Sequence, residues 1–250
     1  MVNIILLGPP GAGKTYTAKH VINALLASGK NVGITSNSHK AILNLMRGVD
    51  EVVKTNATKA SLYKVGGEKD DALMADTAIK SIPDVAKACD DLPGGGVCLG
   101  ATAWGIANKA LEPSQANEPC LDYLFVDEAG QVSVANLIAM SRAAKNIVLM
   151  GDQMQLGQPT QGVHPEDSGL SCLDYLMGET ATIPEDLGVF LPVTHRMHPD
   201  VCAFISNQVY DGRLGSDEVT KKHLVDTSAI DLTAKAGIVF LPVVHEGNTQ

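Results

Sequence analysis

A glycine-rich segment near the amino terminus has the residue types and spacing of a phosphate-binding loop. It fits the pattern GxxxxGK[ST] with Gly8, Pro9, Pro10, Gly11, Ala12, Gly13, Lys14 and Thr15. Glycines let a backbone wrap closely around phosphate oxygens, and the helix expected to follow adds unpaired N–H donors at its first turn. Lys14 is expected to contact the β- and γ-phosphates, and the Thr15 hydroxyl to hold Mg²⁺. The segment therefore predicts a site for ATP and magnesium.

Two adjacent carboxylates supply a second part of the same chemistry. Asp127 and Glu128 directly follow the apolar run 123–126. Residues at the carboxyl edge of a parallel sheet face the ligand crevice, so Asp127 is expected to hold Mg²⁺ through water. Glu128 is expected to orient and deprotonate the water that attacks the γ-phosphate. An apolar strand that ends in Asp-Glu is often structural, but downstream of a phosphate loop the catalytic interpretation is favoured.

Strands and helices alternate along the chain in the order that would position both segments. Strand-like apolar runs occupy residues 2–7, 32–35, 97–100, 123–126 and 147–150. Helical periodicity follows the phosphate loop up to a stop at Gly29, and it returns over 132–144. Ser38 is expected to cap a further helix with the inner face Ile42, Leu45 and Met46. This order predicts an α/β fold, a parallel sheet with helices on both faces.

The segment 49–96 interrupts the alternation. It is polar and contains Pro83, Pro93 and three successive glycines. This composition predicts an elaboration on the domain rather than a part of its core.

Composition and charge exclude several classes of protein. Hydrophobic residues make up 45% of the 250 residues, which is enough for a large core. A net charge of −9 argues against a wholly basic nucleic-acid binder, although residues 36–69 carry six basic side chains against three acidic ones. No apolar run is long enough to span a bilayer, and no secretory signal is present. The five cysteines form no CxxC pair, so free thiols in a reducing cytoplasm are expected.

Further segments of the chain resemble the motifs of superfamily 1 helicases. They are Asp127-Glu128-Ala129-Gly130-Gln131, Gly151-Asp152-Gln153-Met154-Gln155-Leu156 followed by Gln158-Pro159, His195-Arg196-Met197-His198-Pro199, and Gly100-Ala101-Thr102. In order and spacing they are similar to the branch that contains the nonsense-mediated-decay helicase and the replication nuclease–helicases. Stretches 36–41 and 125–132 also resemble bacterial proteins that fuse a RecB-like nuclease to such a helicase. The resemblance implies a RecA-like P-loop NTPase.

The same resemblance implies roles for three residues outside the phosphate loop. Gln155 would sense the γ-phosphate and link the nucleotide to the nucleic-acid site. Arg196 would point at the γ-phosphate from a second RecA-like domain, so that hydrolysis depends on closure of the cleft. His195 stands where the family commonly has an aromatic residue that stacks on adenine, and weaker stacking is expected here.

Contacts to a single strand are implied for Ser36, Asn37 and Thr102, with Lys40 a weaker candidate nearby. Small polar groups suit the phosphates and sugars of a nucleic-acid backbone, which carry no sequence information. Capping of the helix that follows is an alternative explanation of Ser36 and Asn37, and it carries almost equal weight.

Other features depart from the family pattern or suggest another chemistry. We expect a complete first motor domain over 1–188 and an incomplete second one over 189–250. The upstream glutamine element and the fifth and sixth motifs of the family are absent, which predicts an excised segment that binds Mg-ATP weakly and hydrolyses it poorly. A zinc site at His164, His195 and His198 is disfavoured because these residues lack the spacing of zinc ligands.

Two classes of function fit these motifs. The favoured hypothesis is an ATP-dependent translocase or helicase core on single-stranded nucleic acid, with DNA preferred over RNA. Its expected partners are the remainder of the second motor domain and a fused nuclease domain. The alternative is a nucleotide-gated nucleic-acid-binding module without unwinding activity. Glu128, Gln155 and Arg196 count against the alternative, because a pure switch does not need a hydrolytic set.

Overall fold

A computed structural model describes residues 3–67, 72–113, 118–155, 157, 162, 164–178, 180–227, 234–240, 242 and 247. Its strands are β1 Asn3–Leu7, β2 Val32–Thr35, β3 Ser61–Val65, β4 Lys80–Ile82, β5 Val97–Gly100, β6 Leu121–Val126, β7 Ala144–Gly151, β8 Gly188–Phe190, β9 Val193–Thr194 and β10 Gly215–Ser216. Its α-helices are α1 Lys14–Ala27, α2 His39–Thr55, α3 Ala103–Ile106, α4 Val134–Ser141, α5 Cys172–Met177 and α6 Pro199–Val209. Leu156, Gln158 and Pro159 of the third motif lie outside the described residues.

Eight of the strands form one parallel sheet in the order β4-β3-β5-β2-β6-β7-β1-β8. In a parallel sheet every strand ends at the same edge. The phosphate loop follows β1, Asn37 follows β2, Thr102 follows β5, Glu128 follows β6 and Gln155 follows β7. The expected α/β fold is confirmed, and the sheet brings these segments to one edge.

Helices cover both faces of the sheet, as successive strand residues point to opposite sides. On one face, Val32, Ile34 and Phe125 pack in a core cluster with residues of α1 and α2. On the other face, α3 packs near Gly33: a Cβ there would be 3.8 Å from a methyl carbon of Ile106 in α3, and only 2.9 Å from one of Leu124. The absent side chain at residue 33 makes room for these neighbours.

The interpretation of segment 49–96 as an elaboration outside the core is wrong. Helix α2 continues to Thr55 with Val49 and Val53 buried, and β3 lies in the sheet between β4 and β5. Leu62 belongs to the same core cluster as Val49 and Val53. The polar residues of β3 concealed the strand, because Lys64 interrupts its apolar run yet is only 1% exposed.

Backbone contacts divide the chain into two compact units. The first comprises Met1–Pro9 with Gly13–Leu191, and the second comprises Pro10–Ala12 with Pro192–Gln250. Strand β8 pairs with β1 in the first unit, so the expected boundary at residue 188 falls at the start of this strand. In the second unit, β9 pairs in parallel with β10.

The five cysteines are free thiols; Cys98, Cys172 and Cys202 are buried and the other two are partly exposed. Burial raises the pKa of the Cys98 thiol to about 12, so this group stays protonated. Among the described residues, none of the helices combines the length and apolar character needed to cross a membrane.

Candidate nucleotide and nucleic-acid site

The start of the phosphate loop is held by backbone and side-chain hydrogen bonds within the first unit. The Gly8 N–H donates to the Gly151 carbonyl at 3.2 Å, which joins the start of the loop to the end of β7. Lys14 Nζ donates to the Gly8 carbonyl at 2.6 Å and lies 3.4 Å from the Pro9 carbonyl. Gly13, the residue that caps the start of α1, has φ +87°, a conformation that favours glycine. The loop thus turns sharply into the helix and keeps the Lys14 ammonium at its carbonyls.

The middle of the loop belongs to the second unit, where it contacts residues 194–196. The Thr194 hydroxyl donates to the Pro10 carbonyl and the His195 N–H donates to the Gly11 carbonyl, both at 2.9 Å. Gly11 has φ +79°, and a Cβ there would collide with the Cβ of Arg196. Only glycine fits this position.

Asp127 is a buried carboxylate whose pKa is raised to about 6. Burial is the main cause, and the neighbouring Glu128 carboxylate adds to it. The Glu128 N–H, which donates to Asp127 Oδ1 at 3.1 Å, and the Lys14 ammonium act in the opposite direction. The nearby cation therefore only partly offsets the loss of water around Asp127.

Glu128 is held in a left-handed backbone conformation with φ +54°. A residue with a Cβ adopts this conformation at an energetic cost, and such strain is concentrated at functional sites. Glu128 precedes the 3₁₀ turn Ala129–Gln131, and its carbonyl accepts from the Gln131 N–H at 2.8 Å. This turn sets the direction in which the chain leaves β6.

The segment after β7 packs against this turn. A Cβ on Gly130 would lie 2.8 Å from the Asp152 carbonyl oxygen, so the two backbones approach more closely than any other residue type permits. Asp152 is 3% exposed, and its Oδ2 accepts from Gln155 Nε2 at 3.3 Å. Sequence reasoning missed Asp152 as the residue that positions Gln155, because only the folded chain shows this contact.

The residues predicted to contact a nucleic-acid strand differ in solvent exposure. Asn37 is exposed and Thr102 is half-buried, whereas Ser36 is 3% exposed. Helix α2 is capped by Ser38, whose hydroxyl accepts from the Ala41 N–H at 3.1 Å. The capping alternative for Ser36 and Asn37 is therefore wrong, since neither side chain caps the helix.

A hydrogen bond joins Asn37, which follows β2, to the 3₁₀ turn that follows Glu128. Asn37 Nδ2 donates to the Gln131 carbonyl at 2.5 Å, and Gln131 N–H in turn donates to the Glu128 carbonyl. The segments after β2 and β5 are also joined, because the Ala101 N–H donates to the Ile34 carbonyl at 3.0 Å. The first unit therefore has a continuous path from Thr102 to Glu128 along one edge of the sheet.

In the second unit, the two residues predicted to approach the nucleotide have partners of their own. His195 Nδ1 lies 3.0 Å from Asp217 Oδ2, and His223 Nδ1 lies 3.0 Å from the Arg196 carbonyl oxygen. The pKa of Asp217 is lowered, chiefly by the N–H of Val219 and further by His195. His198 caps α6, because its Nδ1 accepts from the Asp200 N–H at 3.2 Å.

The chain is similar to known proteins along most of its length. The family model of an AAA domain matches residues 2–167. The curated DNA replication ATP-dependent helicase/nuclease dna2 of Schizosaccharomyces pombe is 27% identical over 227 residues, which cover 88% of this chain and 15% of that protein. The corresponding DNA2 of Gallus gallus is 25% identical, over 86% of this chain and 21% of that protein. The chain thus spans about a fifth or less of the length of these relatives.

Solved structures similar to the chain include two viral helicases. An arterivirus nonstructural protein 10 helicase in complex with DNA is 16% identical, with a TM-score of 0.49 over 86% of this chain and 42% of that one. The PRRSV helicase is 15% identical, with a TM-score of 0.48 over 86% of this chain and 35% of that one.

Proposed function

The chain belongs to the AAA domain family, and on that premise we propose that it is the ATP-hydrolysing core of a translocase or helicase on single-stranded nucleic acid. DNA is the preferred substrate in this proposal, because the curated relatives are named as DNA replication helicase/nucleases. The observation that carries the proposal is the common edge of the sheet, where the phosphate loop, Glu128, Gln155, Asn37 and Thr102 all follow strand ends.

The residues of the first unit suit a nucleotide with a divalent cation. Lys14 presents a positive charge at the loop, and Thr15 lies beside it in the first turn of α1. Asp127 is a buried carboxylate that a second positive charge would stabilise, since burial holds its pKa near 6. Magnesium, when bound, neutralises charge on the β- and γ-phosphates. We assign Lys14 to the phosphates, and Thr15 and Asp127 to the cation.

Glu128 is the proposed general base. Its left-handed backbone fixes the direction of the side chain, and its half-buried position leaves it accessible to water. Gln155 is the proposed γ-phosphate sensor, held by the buried Asp152 carboxylate. A general base contributes about 10²–10⁴-fold to rate, so loss of Glu128 should abolish turnover without removing the nucleotide site.

The path from Asn37 to Gln131 to Glu128 is the proposed route of coupling. If the phosphates of a bound nucleic-acid strand accept a hydrogen bond from the Asn37 amide, that amide no longer donates to the Gln131 carbonyl. The turn after Glu128 would then relax, and the base would move with it. Strand binding and hydrolysis would therefore depend on each other.

Arg196 and His195 are proposed to act from a second motor domain. We assign residues 1–188 to the first motor domain and 189–250 to the start of the second. Arg196 would stabilise charge that develops in the transition state, and His195 would lie beside the base of the nucleotide. The remainder of the second domain and a nuclease domain are the proposed partners, and the free thiols suit the cytoplasm as the proposed location.

Single-turnover hydrolysis of Mg-ATP tests this function. The protein is held in excess over nucleotide, with and without oligothymidylate, and Glu128→Gln serves as the blank. A rate that the single strand raises, and that the blank lacks, is the expected result. Strand binding without hydrolysis above the blank would identify a nucleotide-gated binding module instead. Hydrolysis that the strand leaves unchanged would identify an NTPase unrelated to nucleic acid.

A further inference from the structure

The only tryptophan of the chain is almost fully exposed to solvent. Trp104 is 86% exposed, although aromatic residues make up just 4% of the sequence. Tryptophan is highly buried on average, because burial of its large apolar surface stabilises a fold. At the surface, Trp104 therefore contributes little to the stability of the fold. Its exposed ring is instead available to contact a ligand.

The short helix α3 holds Trp104 outward by its own packing. Ile106, two residues later, is 0% exposed and anchors the helix in the core. Two residues rotate an α-helix by about 200°, so the buried Ile106 places Trp104 on the opposite side. Gly105 approaches Ala101 so closely that a Cβ there would be 2.8 Å from the Ala101 Cβ. The indole therefore projects from a tightly packed turn.

Trp104 also lies at the edge that carries the proposed strand contacts. It is two residues beyond Thr102, and the Ile106 N–H donates to the Thr102 carbonyl at 3.0 Å. The preceding strand β5 pairs with β2, and β2 leads into Asn37. Small polar groups and one exposed aromatic surface thus follow neighbouring strands.

We propose that the Trp104 indole stacks on an unpaired base of the single strand whose backbone Thr102 and Asn37 contact. This inference rests on the proposed function and adds a base contact to it. Every base has a flat aromatic face, so stacking tolerates any sequence. Bases within a duplex are already stacked on each other, so Trp104 favours unpaired strands over duplexes.

The single tryptophan makes its own fluorescence the first test. Oligothymidylate and an abasic oligonucleotide of equal length are titrated into the protein, since the two share a backbone and differ only in bases. The expected result is quenching of tryptophan fluorescence by oligothymidylate and much less by the abasic strand. Quenching of equal size with both strands, or with neither while oligothymidylate binds, would overturn the stacking.

Affinity measurements on variants, read from a labelled strand, give the second test. Trp104→Ala should weaken oligothymidylate binding roughly 5- to 100-fold, and Trp104→Phe should retain most of the affinity. Abasic-strand affinity should be the same in the parent and in Trp104→Ala. Tyr175→Ala, which removes an exposed aromatic ring from α5, is the matched control and should change neither.

The outcomes separate the stacking from the function on which it rests. Strand-stimulated hydrolysis together with unchanged affinity in Trp104→Ala would overturn the stacking and leave the function intact. Equal loss of abasic and oligothymidylate affinity in Trp104→Ala would also overturn it, because the residue would then support the backbone contacts. Failure of the parent protein to bind either strand would overturn both proposals.

Discussion

Two stretches of the same sheet edge are built in opposite ways. The nucleotide edge, defined by Lys14, Asp127, Glu128 and Gln155 after β1, β6 and β7, carries charges fixed by hydrogen bonds and partly removed from water. The strand edge, defined by Asn37, Thr102 and Trp104 after β2 and β5, is neutral and open to solvent. Under the proposed function, the nucleotide edge holds charge in a fixed geometry, whereas the strand edge accepts and releases a nucleic-acid strand of any sequence.

The difference also governs what a sequence reveals. Charged groups that act on phosphate need particular residues at particular spacings, so the loop at Lys14 and the pair Asp127-Glu128 are visible in the sequence. Small polar residues that contact a backbone are common everywhere, so Ser36, Asn37 and Thr102 are identified only through a family resemblance. Of these three, the structure buries Ser36.

The largest expected effect is at the nucleotide edge. Glu128→Gln should reduce hydrolysis at least ~100-fold, because the amide cannot accept a proton from water. Nucleotide affinity, measured by titration of a fluorescent ATP analogue, should change less than ~3-fold. The charge of the phosphates is balanced by Lys14 and the cation in this proposal, and not by Glu128. A proportional loss of affinity and rate would show that Glu128 acts in nucleotide binding. It would contradict the assignment of Glu128 as the general base.

A smaller loss is expected where the two segments of the nucleotide edge touch. Gly130→Ala places a Cβ 2.8 Å from the Asp152 carbonyl oxygen, and the backbones must separate to admit it. The free energy of unfolding should fall by up to about 3 kcal/mol in a denaturant titration. Gly94→Ala is the matched control, because nothing lies within 4 Å of the added carbon. Equal stability of both variants would contradict the close approach.

The charge of Asp127 should destabilise the nucleotide-free protein. Its pKa is raised from 3.8 to about 6, so the folded state holds this proton more tightly than the unfolded state. The destabilisation is therefore absent below about pH 4, grows as pH rises and is complete above about pH 6. Asp127→Asn should gain on the order of 1–2 kcal/mol at pH 8 without magnesium, and less at pH 5. A gain that does not vary with pH would point to packing instead.

The smallest effect is expected from loss of the hydrogen bond that joins Asn37 of the strand edge to the turn after Glu128 of the nucleotide edge. Asn37→Ala removes the donor to the Gln131 carbonyl, so the single strand should stimulate hydrolysis about 5-fold less, a change of ~1 kcal/mol. The ratio of rates with and without oligothymidylate gives this value. Asn44→Ala, an exposed asparagine on α2, is the control and should leave the ratio unchanged. If the ratio of rates with and without oligothymidylate is unchanged in Asn37→Ala, the proposed route of coupling is wrong.

Much of the fold was predictable because apolar runs report directly on burial. Strand β2 has the predicted bounds, and Ser38 caps α2 as its position indicated. Strand β3 was missed because Lys64 lies within it. Its buried ammonium is compensated by the Val65 carbonyl at 2.7 Å and His39 Nδ1 at 2.7 Å, contacts that exist only after folding. Trp104 was not identified from the sequence either, because its exposure is a property of the folded chain.

Reciprocal linkage between the two edges tests most directly whether nucleotide and nucleic-acid binding are coupled. Affinity for labelled oligothymidylate is measured on Glu128→Gln with and without Mg-ATP, and Mg-ATP affinity is measured with and without oligothymidylate. Coupling between the edges predicts that each ligand changes the affinity of the other several-fold, and by the same factor. Two affinities that are each independent of the other ligand would contradict it, because the edges would then be separate sites on one sheet.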